Sequence, residues 1–316
     1  MRQNLLGIEP LSRDEIQSIL DRAREFRDLA EQNERFLNLL QNRIIVNLFF
    51  EASTRTRTSF EIAAKRLGAT TVRISAEGSS VSKGESLVDT LNTLAAMRPD
   101  AIVMRHKASG APHFLQRHLE IPIINAGDGT HEHPTQALLD ARTILDRGAK
   151  LEGLRVAIIG DIAHSRVARS NVHLLSKYGA EIVLCGPGAL LPSELKDLAP
   201  GVTLTTDIRE AIQGAGVIMM LRVQLERQHE KPFPANQYFK YYGLRPEHLD
   251  LAQPDVIVMH PGPINRGREI SSEVADSQRS VILNQVENGI VVRMAVLEWA
   301  LQRSGNGAVK SGAGAA

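Results

Sequence analysis

The chain has 316 residues, of which 43% are hydrophobic and 23% are charged, and its formal net charge is +1. This length is enough for two domains with separate cores. The near-zero net charge excludes an overall electrostatic attraction of the chain to nucleic acid or to an acidic membrane surface. Cys185 is the only cysteine, so neither an intrachain disulfide nor an all-cysteine metal site can form. Charges and a proline interrupt the first residues, and no apolar run approaches the ~18 residues of a membrane span. We therefore expect a cytoplasmic protein without a secretory signal.

Strands and helices alternate along the first half of the chain. Ser12 and Glu15 form a capping-box pattern ahead of an amphipathic helix. Three apolar strands are predicted at 44–50, 101–104 and 121–125. Four helices are predicted at 54–67, 86–96, 111–118 and 134–147. The segment 127–129, which is Gly-Asp-Gly, predicts a turn after the third strand.

A second alternating series begins at residue 149. Its predicted strands are 155–160, 181–185, 202–205, 216–221 and 255–259, and its predicted helices are 165–177, 192–198 and 207–213. This order predicts the α/β class, with two doubly wound parallel-sheet domains joined by interdomain helices. We assign residues 1–148 to the first domain and 149–281 to the second, with helix 134–147 as the connector.

The final helix, 282–303, is expected to pack back onto the first domain and complete it. Its apolar stripe is predicted to contain Val286, Ile290, Met294 and Leu297. The small residues of 304–316 predict a flexible tail without function.

Two polar segments, 75–84 and 222–244, interrupt the alternation without a helix or strand pattern. Irregular segments of this length are uncommon in compact domains and are often functional. We therefore expect both segments to border a ligand site.

The segment 53–57, Ser-Thr-Arg-Thr-Arg, lies between an apolar strand and a helix. In α/β proteins this position faces the ligand crevice, and the helix N-terminus attracts anions. Hydroxyl groups and the Arg55 guanidinium add donors, and each charge-assisted hydrogen bond contributes roughly 1.5–3 kcal/mol. A Ser/Thr cap with surface arginines is the alternative, and five such residues in a row make it the weaker one. The segment predicts a phosphate-binding loop, although not the P-loop of nucleotide hydrolases.

Three further candidates are less specific when taken singly. Arg105 closes an apolar strand and either faces the same crevice or lies on an exposed rim. His133 precedes a helix, where a histidine is often only a cap. His131 with His133 lacks a third ligand at a plausible spacing, so we predict no metal.

The second half opens with a strand that resembles a dinucleotide fold, but Gly160 is not followed by the remaining glycines of that fingerprint. Arg166 occupies the loop instead, and Arg222 follows another strand. Two arginines at one sheet edge favour a dicarboxylate ligand, with structural salt bridges as the alternative. Since no Ser/His/Asp order or activated cysteine is visible, we expect catalysis by positioning and oxyanion stabilisation, without a cofactor.

Together these motifs resemble the catalytic chains of the aspartate carbamoyltransferase family, up to about residue 303. The matching segments are 53–57, 82–85, 103–106, 133–136, 222–224 and 260–263. The resemblance implies transfer of the carbamoyl group from carbamoyl phosphate to L-aspartate, giving N-carbamoyl-L-aspartate and phosphate in pyrimidine (UMP) biosynthesis.

The resemblance also implies a role for individual residues. The phosphate would be bound by Ser53, Thr54, Arg55 and Thr56. The carbamoyl group would be contacted by Thr56, Arg105, His133, Gln136 and the backbone carbonyls of Pro261 and Gly262. The aspartate carboxylates would be held by Lys83, Arg166, Arg222 and Gln224. Catalysis would rest mainly on Arg55, Thr56, Arg105 and His133.

The resemblance implies a homotrimer in which a neighbouring subunit delivers Ser79 and Lys83 to each active site. Regulatory or dihydroorotase chains, as in a dodecamer, stay open as partners. Gly262 departs from the leucine or alanine of many members. Ornithine carbamoyltransferase is the nearest competing function, but it typically has a cysteine where this chain has Pro261. A catalytically silent scaffold paralogue is a second competing function, and a nicotinamide-dependent oxidoreductase is a third.

Overall fold

The structure is a computed structural model that describes residues 3–75, 87–223 and 235–302. The strands are β1 (Ile44–Phe49), β2 (Thr70–Ser75), β3 (Ala101–His106), β4 (Ile123–Asp128), β5 (Arg155–Ile159), β6 (Glu181–Cys185), β7 (Val202–Thr205), β8 (Val217–Met220) and β9 (Ile257–Met259). The helices are α1 (Arg13–Glu31), α2 (Thr54–Arg66), α3 (Leu87–Ala96), α4 (Ala111–Gln116), α5 (Pro134–Asp146), α6 (Arg166–Ser176), α7 (Ile208–Ile212), α8 (Ala235–Tyr242), α9 (Pro246–Leu249), α10 (Ser272–Ala275) and α11 (Ile282–Leu301). Within the described ranges, 3₁₀ helices span Gly188–Leu190 and Ser193–Leu198.

The strands form two parallel sheets. The first has the order β2-β1-β3-β4 and the second the order β7-β6-β5-β8-β9. The α/β prediction with two parallel sheets is therefore confirmed. In each sheet the sequence order of neighbouring strands changes direction once. The change lies between β1 and β3 in the first sheet and between β5 and β8 in the second. Ligands of open α/β sheets bind at such switch points, beyond the carboxyl ends of the strands.

Two long helices connect the sheets. Helix α5 follows β4 and packs against α6 and α11, while α11 packs against α1, α2 and α5. One continuous buried apolar cluster accordingly includes Ile124 of the first sheet, Val156 of the second and Leu297 of α11. The two sheets are thus held together by shared helical packing, and their switch points face a common space.

The helix starts follow the local chemistry of the sequence. At α1 the Ser12 hydroxyl accepts from the Glu15 N–H at 3.1 Å, and the Ser12 N–H donates to the Glu15 carboxylate at 2.8 Å. This is the predicted capping box. At α5 a proline occupies the first helical position, where its missing N–H costs nothing.

Several sequence predictions differ from the structure. Strand β2 was not predicted, and α8 lies in the segment 222–244 that was predicted to be irregular. Strand β4 continues to Asp128 with every residue buried, so the predicted turn begins later than Gly127. Helix 192–198 is a 3₁₀ helix. Val286, predicted on the packed stripe of α11, is 53% exposed.

Most of the predicted segment 75–84, residues 224–234 and the predicted tail 304–316 lie outside the described residues. Among the helices that the structure describes, none is both long and apolar enough to cross a bilayer.

Candidate active site

A cavity of about 1350 Å³ lies between the two sheets, at the carboxyl ends of their strands. It brings together every predicted site residue that the structure describes. These residues are Ser53, Thr54, Arg55, Thr56, Arg105, His133, Gln136, Arg166, Arg222, Pro261 and Gly262. The remaining three, Ser79, Lys83 and Gln224, lie outside the described residues.

The predicted phosphate loop forms the start of α2. Ser53 is the N-cap residue, but its side chain makes no capping hydrogen bond, so its hydroxyl does not serve the helix. The side chain of Thr56 is buried. The pKa of Arg55 is lowered, first by the burial of Arg55 itself and then by the positive charge of Arg222. A dianion at this helix end would meet free N–H groups and the guanidinium group of Arg55.

Gly262 lies against the phosphate loop from the opposite side of the cavity. Its φ is +65°, and a Cβ atom there would lie 3.1 Å from Nη1 of Arg55. A glycine adopts this left-handed conformation without strain and leaves the space to the guanidinium. The departure at Gly262 thus allows a close approach of Arg55 to the backbone of the second half of the chain.

The loop that carries Gly262 is fixed by a buried histidine. The Gly262 N–H donates to Nδ1 of His260 at 2.8 Å, and Nε2 of His260 lies 3.3 Å from Oε1 of Glu269. Both side chains are completely buried. The same carboxylate oxygen accepts from the Asn265 N–H at 3.0 Å. These bonds fix the backbone of Pro261 and Gly262 at the cavity wall.

Glu51 links arginines from the two halves of the chain. Its Oε1 accepts from Nη2 of Arg105 at 2.6 Å and from Nη2 of Arg166 at 2.5 Å, and its Oε2 accepts from Nη1 of Arg166 at 3.2 Å. Burial opposes ionisation of this carboxyl, but the hydrogen bonds and charges of both arginines lower its pKa to about 2. Glu51 therefore remains ionised and holds two guanidinium groups of the cavity lining side by side.

The backbone beneath these two arginines is a glycine. Gly127 has a φ of +114°, and a Cβ atom there would lie 3.0 Å from Nε of Arg166 and 3.2 Å from Nη1 of Arg105. Nη1 of Arg105 also donates to the Ala126 carbonyl at 3.2 Å. A side chain at Gly127 would displace at least one of the guanidinium groups from the cavity wall.

His133 enters the cavity from the N-terminus of α5. The side chain is buried, and its backbone N–H donates to Oγ of Ser170 at 2.8 Å. Burial first, and then the charges of Arg105, Arg166 and Arg293, lower the pKa of His133 well below its ordinary value. His133 is consequently neutral near pH 7 and can act as a hydrogen-bonding group but not as a resident cation.

Asp140 is a buried carboxylate that three side-chain amides share. It accepts from Nε2 of Gln136 at 2.9 Å, Nδ2 of Asn171 at 2.9 Å and Nε2 of Gln285 at 2.7 Å. Burial raises the pKa of Asp140 to about 6, and these bonds only partly oppose that effect. Oε1 of Gln285 in turn accepts from the His260 N–H at 2.9 Å. The network fixes the amide of Gln136 and joins α5, α6 and α11 to the loop of the second sheet.

The lining residues that were not predicted include Glu51 and Arg293. Glu51 directly follows an apolar strand, so the reasoning applied to segment 53–57 would also have placed it at the crevice. Arg293 lies within α11, 4% exposed, and its guanidinium lies 5.2 Å from the ring centre of Phe60. Burial lowers its pKa to about 9, against the charge of Asp140. Nothing in the local sequence of α11 marks Arg293 as a cavity residue.

Comparison with known families agrees with this geometry. Residues 3–146 match the carbamoyl-phosphate-binding domain of the aspartate/ornithine carbamoyltransferases, and residues 152–300 match their aspartate/ornithine-binding domain. The chain belongs to the aspartate/ornithine carbamoyltransferase family. The segment 53–57 lies in the first matched region, and Arg166 and Arg222 lie in the second.

Relatives within this carbamoyltransferase family are similar over nearly the whole chain. The aspartate carbamoyltransferase catalytic subunit of Solibacter usitatus is 77% identical over 298 residues, covering 94% of this chain and 99% of the relative. The same subunit of Syntrophotalea carbinolica is 56% identical, covering 93% and 94%.

Solved structures of the family share the arrangement of the two sheets. Aspartate transcarbamoylase from Trypanosoma cruzi, in complex with carbamoyl phosphate and aspartate, superimposes with a TM-score of 0.87 at 34% identity, covering 95% of this chain and 97% of that one. Ornithine carbamoyltransferase from Pyrococcus furiosus gives a TM-score of 0.85 at 29% identity, covering 93% and 96%. The fold therefore does not separate the aspartate from the ornithine enzymes, and the acceptor must be judged from the cavity.

Proposed function

We propose that this chain transfers the carbamoyl group of carbamoyl phosphate to the amine of L-aspartate, giving N-carbamoyl-L-aspartate and phosphate. The main support for L-aspartate as the acceptor is the positive charge of the cavity wall. Among the described lining residues Glu51 is the only carboxylate, and two arginines already neutralise it. The cationic lining residues are Arg55, Arg105, Lys107, Arg166, Arg222 and Arg293.

This excess of positive charge fits two anionic substrates. Carbamoyl phosphate brings a phosphate group, and L-aspartate adds two carboxylates, which match planar guanidinium groups. An ornithine side chain would bring an ammonium group into the same wall, where burial strengthens the repulsion between like charges. The relatives that share most of this sequence are named aspartate carbamoyltransferases, which supports the same acceptor.

The geometry supports binding of the two substrates on opposite sides of the cavity. The N-terminus of α2, with Ser53, Thr54 and Arg55, binds the phosphate group. Arg166 and Arg222, after β5 and β8 of the second sheet, bind the aspartate carboxylates. The amine of one substrate is then held beside the carbamoyl carbon of the other, and this positioning lowers the entropic part of the barrier.

The chemical step needs no nucleophile from the protein. The uncharged aspartate amine attacks the carbamoyl carbon and forms a tetrahedral intermediate. Thr56, Arg105 and neutral His133 stabilise the oxygen that gains negative charge. The C–O bond to phosphate then breaks. The departing phosphate takes the proton that the amine loses, while the Pro261 and Gly262 carbonyls and the Gln136 amide orient the nitrogens.

A phosphate-release assay tests the proposed acceptor. With carbamoyl phosphate present, L-aspartate should start phosphate release and L-ornithine should not. Release with L-ornithine alone would replace the proposal by the ornithine enzyme. No release with either substrate would support a silent scaffold paralogue instead. An NAD(H) titration that shows no binding would remove the oxidoreductase function from consideration.

We further propose a cytoplasmic homotrimer whose active sites are shared, with Ser79 and Lys83 supplied by the neighbouring subunit. The family resemblance of segment 82–85 supports this assignment. Lys83→Ala and Arg55→Ala chains should each be inactive alone. After unfolding and joint refolding in equal amounts, about one quarter of the shared sites should be intact, because intact sites need one chain of each kind in the right order. No recovery would show that each site is contained in one chain.

A further inference from the structure

Outside the substrate cavity, two histidines and a buried aspartate converge at the end of the first sheet. His113 lies on α4, Asp128 ends β4, and His131 lies in the loop between β4 and α5. One potential ligand atom from each of the three residues lies within 4.8 Å of the other two. His133, the neighbouring histidine in the sequence, is not part of this set because it faces the substrate cavity.

The carboxylate of Asp128 is held in place by neighbouring backbone and side-chain donors. Oδ1 accepts from Nδ2 of Asn125 at 2.7 Å and from the Glu132 N–H at 3.2 Å, and Oδ2 accepts from the Gly110 N–H at 2.6 Å. The side chain is completely buried. Ligating carboxylates in metal sites are commonly oriented by such outer hydrogen bonds. Asp128 is therefore oriented by three donors that do not belong to either histidine.

The two imidazoles lie close to this carboxylate. Nδ1 of His131 lies 3.1 Å from Oδ2 of Asp128, and the rings of His131 and His113 meet edge to face with centres 5.4 Å apart. Nδ1 of His113 is buried and has no hydrogen-bond partner among the described residues. A buried polar nitrogen without a partner costs free energy that a bound ligand would recover.

We propose that His113, Asp128 and His131 form a binding site for a divalent transition-metal ion, with Zn²⁺ as the best match. Two imidazole nitrogens and one carboxylate oxygen are donors of intermediate hardness. This donor set suits Zn²⁺, Co²⁺ or Ni²⁺ better than Mg²⁺ or Ca²⁺, which prefer oxygen ligands. Metal–ligand bonds of about 2.0–2.2 Å require the donor atoms to approach one another more closely than they do in the free site. The His131 side chain is 35% exposed, so it is not enclosed by packing on all sides.

Three protein ligands leave a fourth position, which water can occupy on the exposed side of His131. The ion would tie α4 to the loop between β4 and α5. That loop also carries Gly129, whose carbonyl accepts from Nη1 of Arg166 at 3.3 Å. The site would therefore stiffen a loop that borders the substrate cavity, without contributing an atom to the reaction.

Cobalt binding tests the site independently of enzymatic activity. The tagless, chelator-treated full chain is titrated with Co²⁺ and followed by its visible ligand-field absorption, and Zn²⁺ is then added in competition. We expect one Co²⁺ per chain, displaced by Zn²⁺, and an upward shift of Tm with Zn²⁺. Absence of a ligand-field spectrum or a stoichiometry well below one would overturn the proposal.

Single-residue variants assign the ligands. His113→Ala and His131→Ala should each weaken Co²⁺ and Zn²⁺ binding by at least about tenfold, which is the lower range even for the loss of an outer-shell partner. The matched control is His118→Ala, an exposed histidine just after α4 whose Nδ1 lies 2.8 Å from the Phe114 carbonyl. Equal loss in the control, or unchanged affinity in both ligand variants, would refute the assignment.

Circular dichroism and phosphate release on each variant keep folding and catalysis separate from metal binding. His131 is partly exposed and lies in a loop, so we expect its alanine variant to fold. If the unmodified chain turns over aspartate but does not bind Co²⁺, only the metal-site proposal is refuted. Loss of turnover with intact Co²⁺ binding would bear only on the proposed carbamoyl transfer.

Discussion

Replacing Asp140 by asparagine should change both the pH dependence of stability and the catalytic rate. In the folded chain the pKa of Asp140 is raised to about 6, mainly by burial, whereas an unfolded aspartate has a pKa of about 3.9. The folded state therefore binds more protons than the unfolded state between these values. Stability from this group is present at low pH and is lost as the pH rises through about 6.

The size of the effect follows from the shift. A difference of about two pKa units corresponds to about 3 kcal/mol, because each unit is worth about 1.4 kcal/mol. About 2 kcal/mol of this total falls between roughly pH 4.5 and pH 7.5, since unfolded Asp140 is already mostly ionised at the lower value. An Asp140→Asn chain cannot ionise and lacks this part of the pH dependence.

Urea unfolding at several pH values, at one protein concentration, measures the effect. The free energy of unfolding of the wild type minus that of Asp140→Asn should fall by about 2 kcal/mol across the range, while the remaining titrating groups cancel. Asp255→Asn, which replaces an exposed carboxylate, is the control, and its difference should change far less because solvent screens an exposed charge. A flat difference for Asp140→Asn would refute the ionised, buried state inferred for this group.

The same variant should also lower kcat. An asparagine side chain presents an NH₂ group to at least one of the amides of Gln136, Asn171 and Gln285, so the network must rearrange. We expect a loss of at least about tenfold in kcat, because a displaced positioning group costs about this much even when it lies away from the reacting atoms. An unchanged kcat would show that Gln136 does not depend on Asp140 for its orientation.

Three further outcomes are expected. Arg55→Ala should lower kcat by at least about 10²-fold in steady-state kinetics, as for other preorganised donors. The control Arg57→Ala removes a residue outside the cavity lining and should stay near the wild-type rate. Equal losses of kcat in both variants would argue against the phosphate loop. Arg222→Ala should raise the KM for L-aspartate by at least about tenfold while carbamoyl phosphate binding, measured by calorimetry, stays nearly constant; parallel weakening of both would contradict the division of the cavity. Because burial and neighbouring arginines depress the pKa of His133, its ring signals in NMR spectra should not move between about pH 6 and pH 8, and a titration near its ordinary pKa would show that it carries charge in the site.

The parts of the site that could be predicted from sequence are local ones. Segment 53–57 combines a strand end, a helix start and anion-binding side chains within a few residues, so its chemistry and its position are encoded together. Arg105, Arg166 and Arg222 each follow a predicted strand or its loop, and parallel strands bring their carboxyl ends to one edge. Local pattern was therefore enough to place them near one another.

The remaining parts depend on contacts that are distant in the sequence. Helix α11 was predicted to bury an apolar stripe through Val286, yet it buries the polar side chains of Gln285, Asn288 and Arg293 and leaves Val286 exposed. Hydrophobic periodicity correctly predicted that Met294 and Leu297 are buried. It could not predict the polar contacts, because Gln285 and Asn288 find partners on α5 and Arg293 donates to the Gly289 carbonyl. The glycines near the end of β4 were similarly taken for a turn, although Gly127 continues the strand beneath two guanidinium groups.

The late position of α11 in the sequence has a consequence for biosynthesis. The first sheet and its helices leave the ribosome long before α11 is made, but their packing partner in the shared apolar cluster is α11 itself. Nascent chains begin to fold from the N-terminus as they emerge, so this half must wait with an uncovered apolar surface until the last helix arrives. We therefore expect chains stopped before residue 282 to be substrates for chaperones and proteases, even though they contain every residue of the phosphate loop.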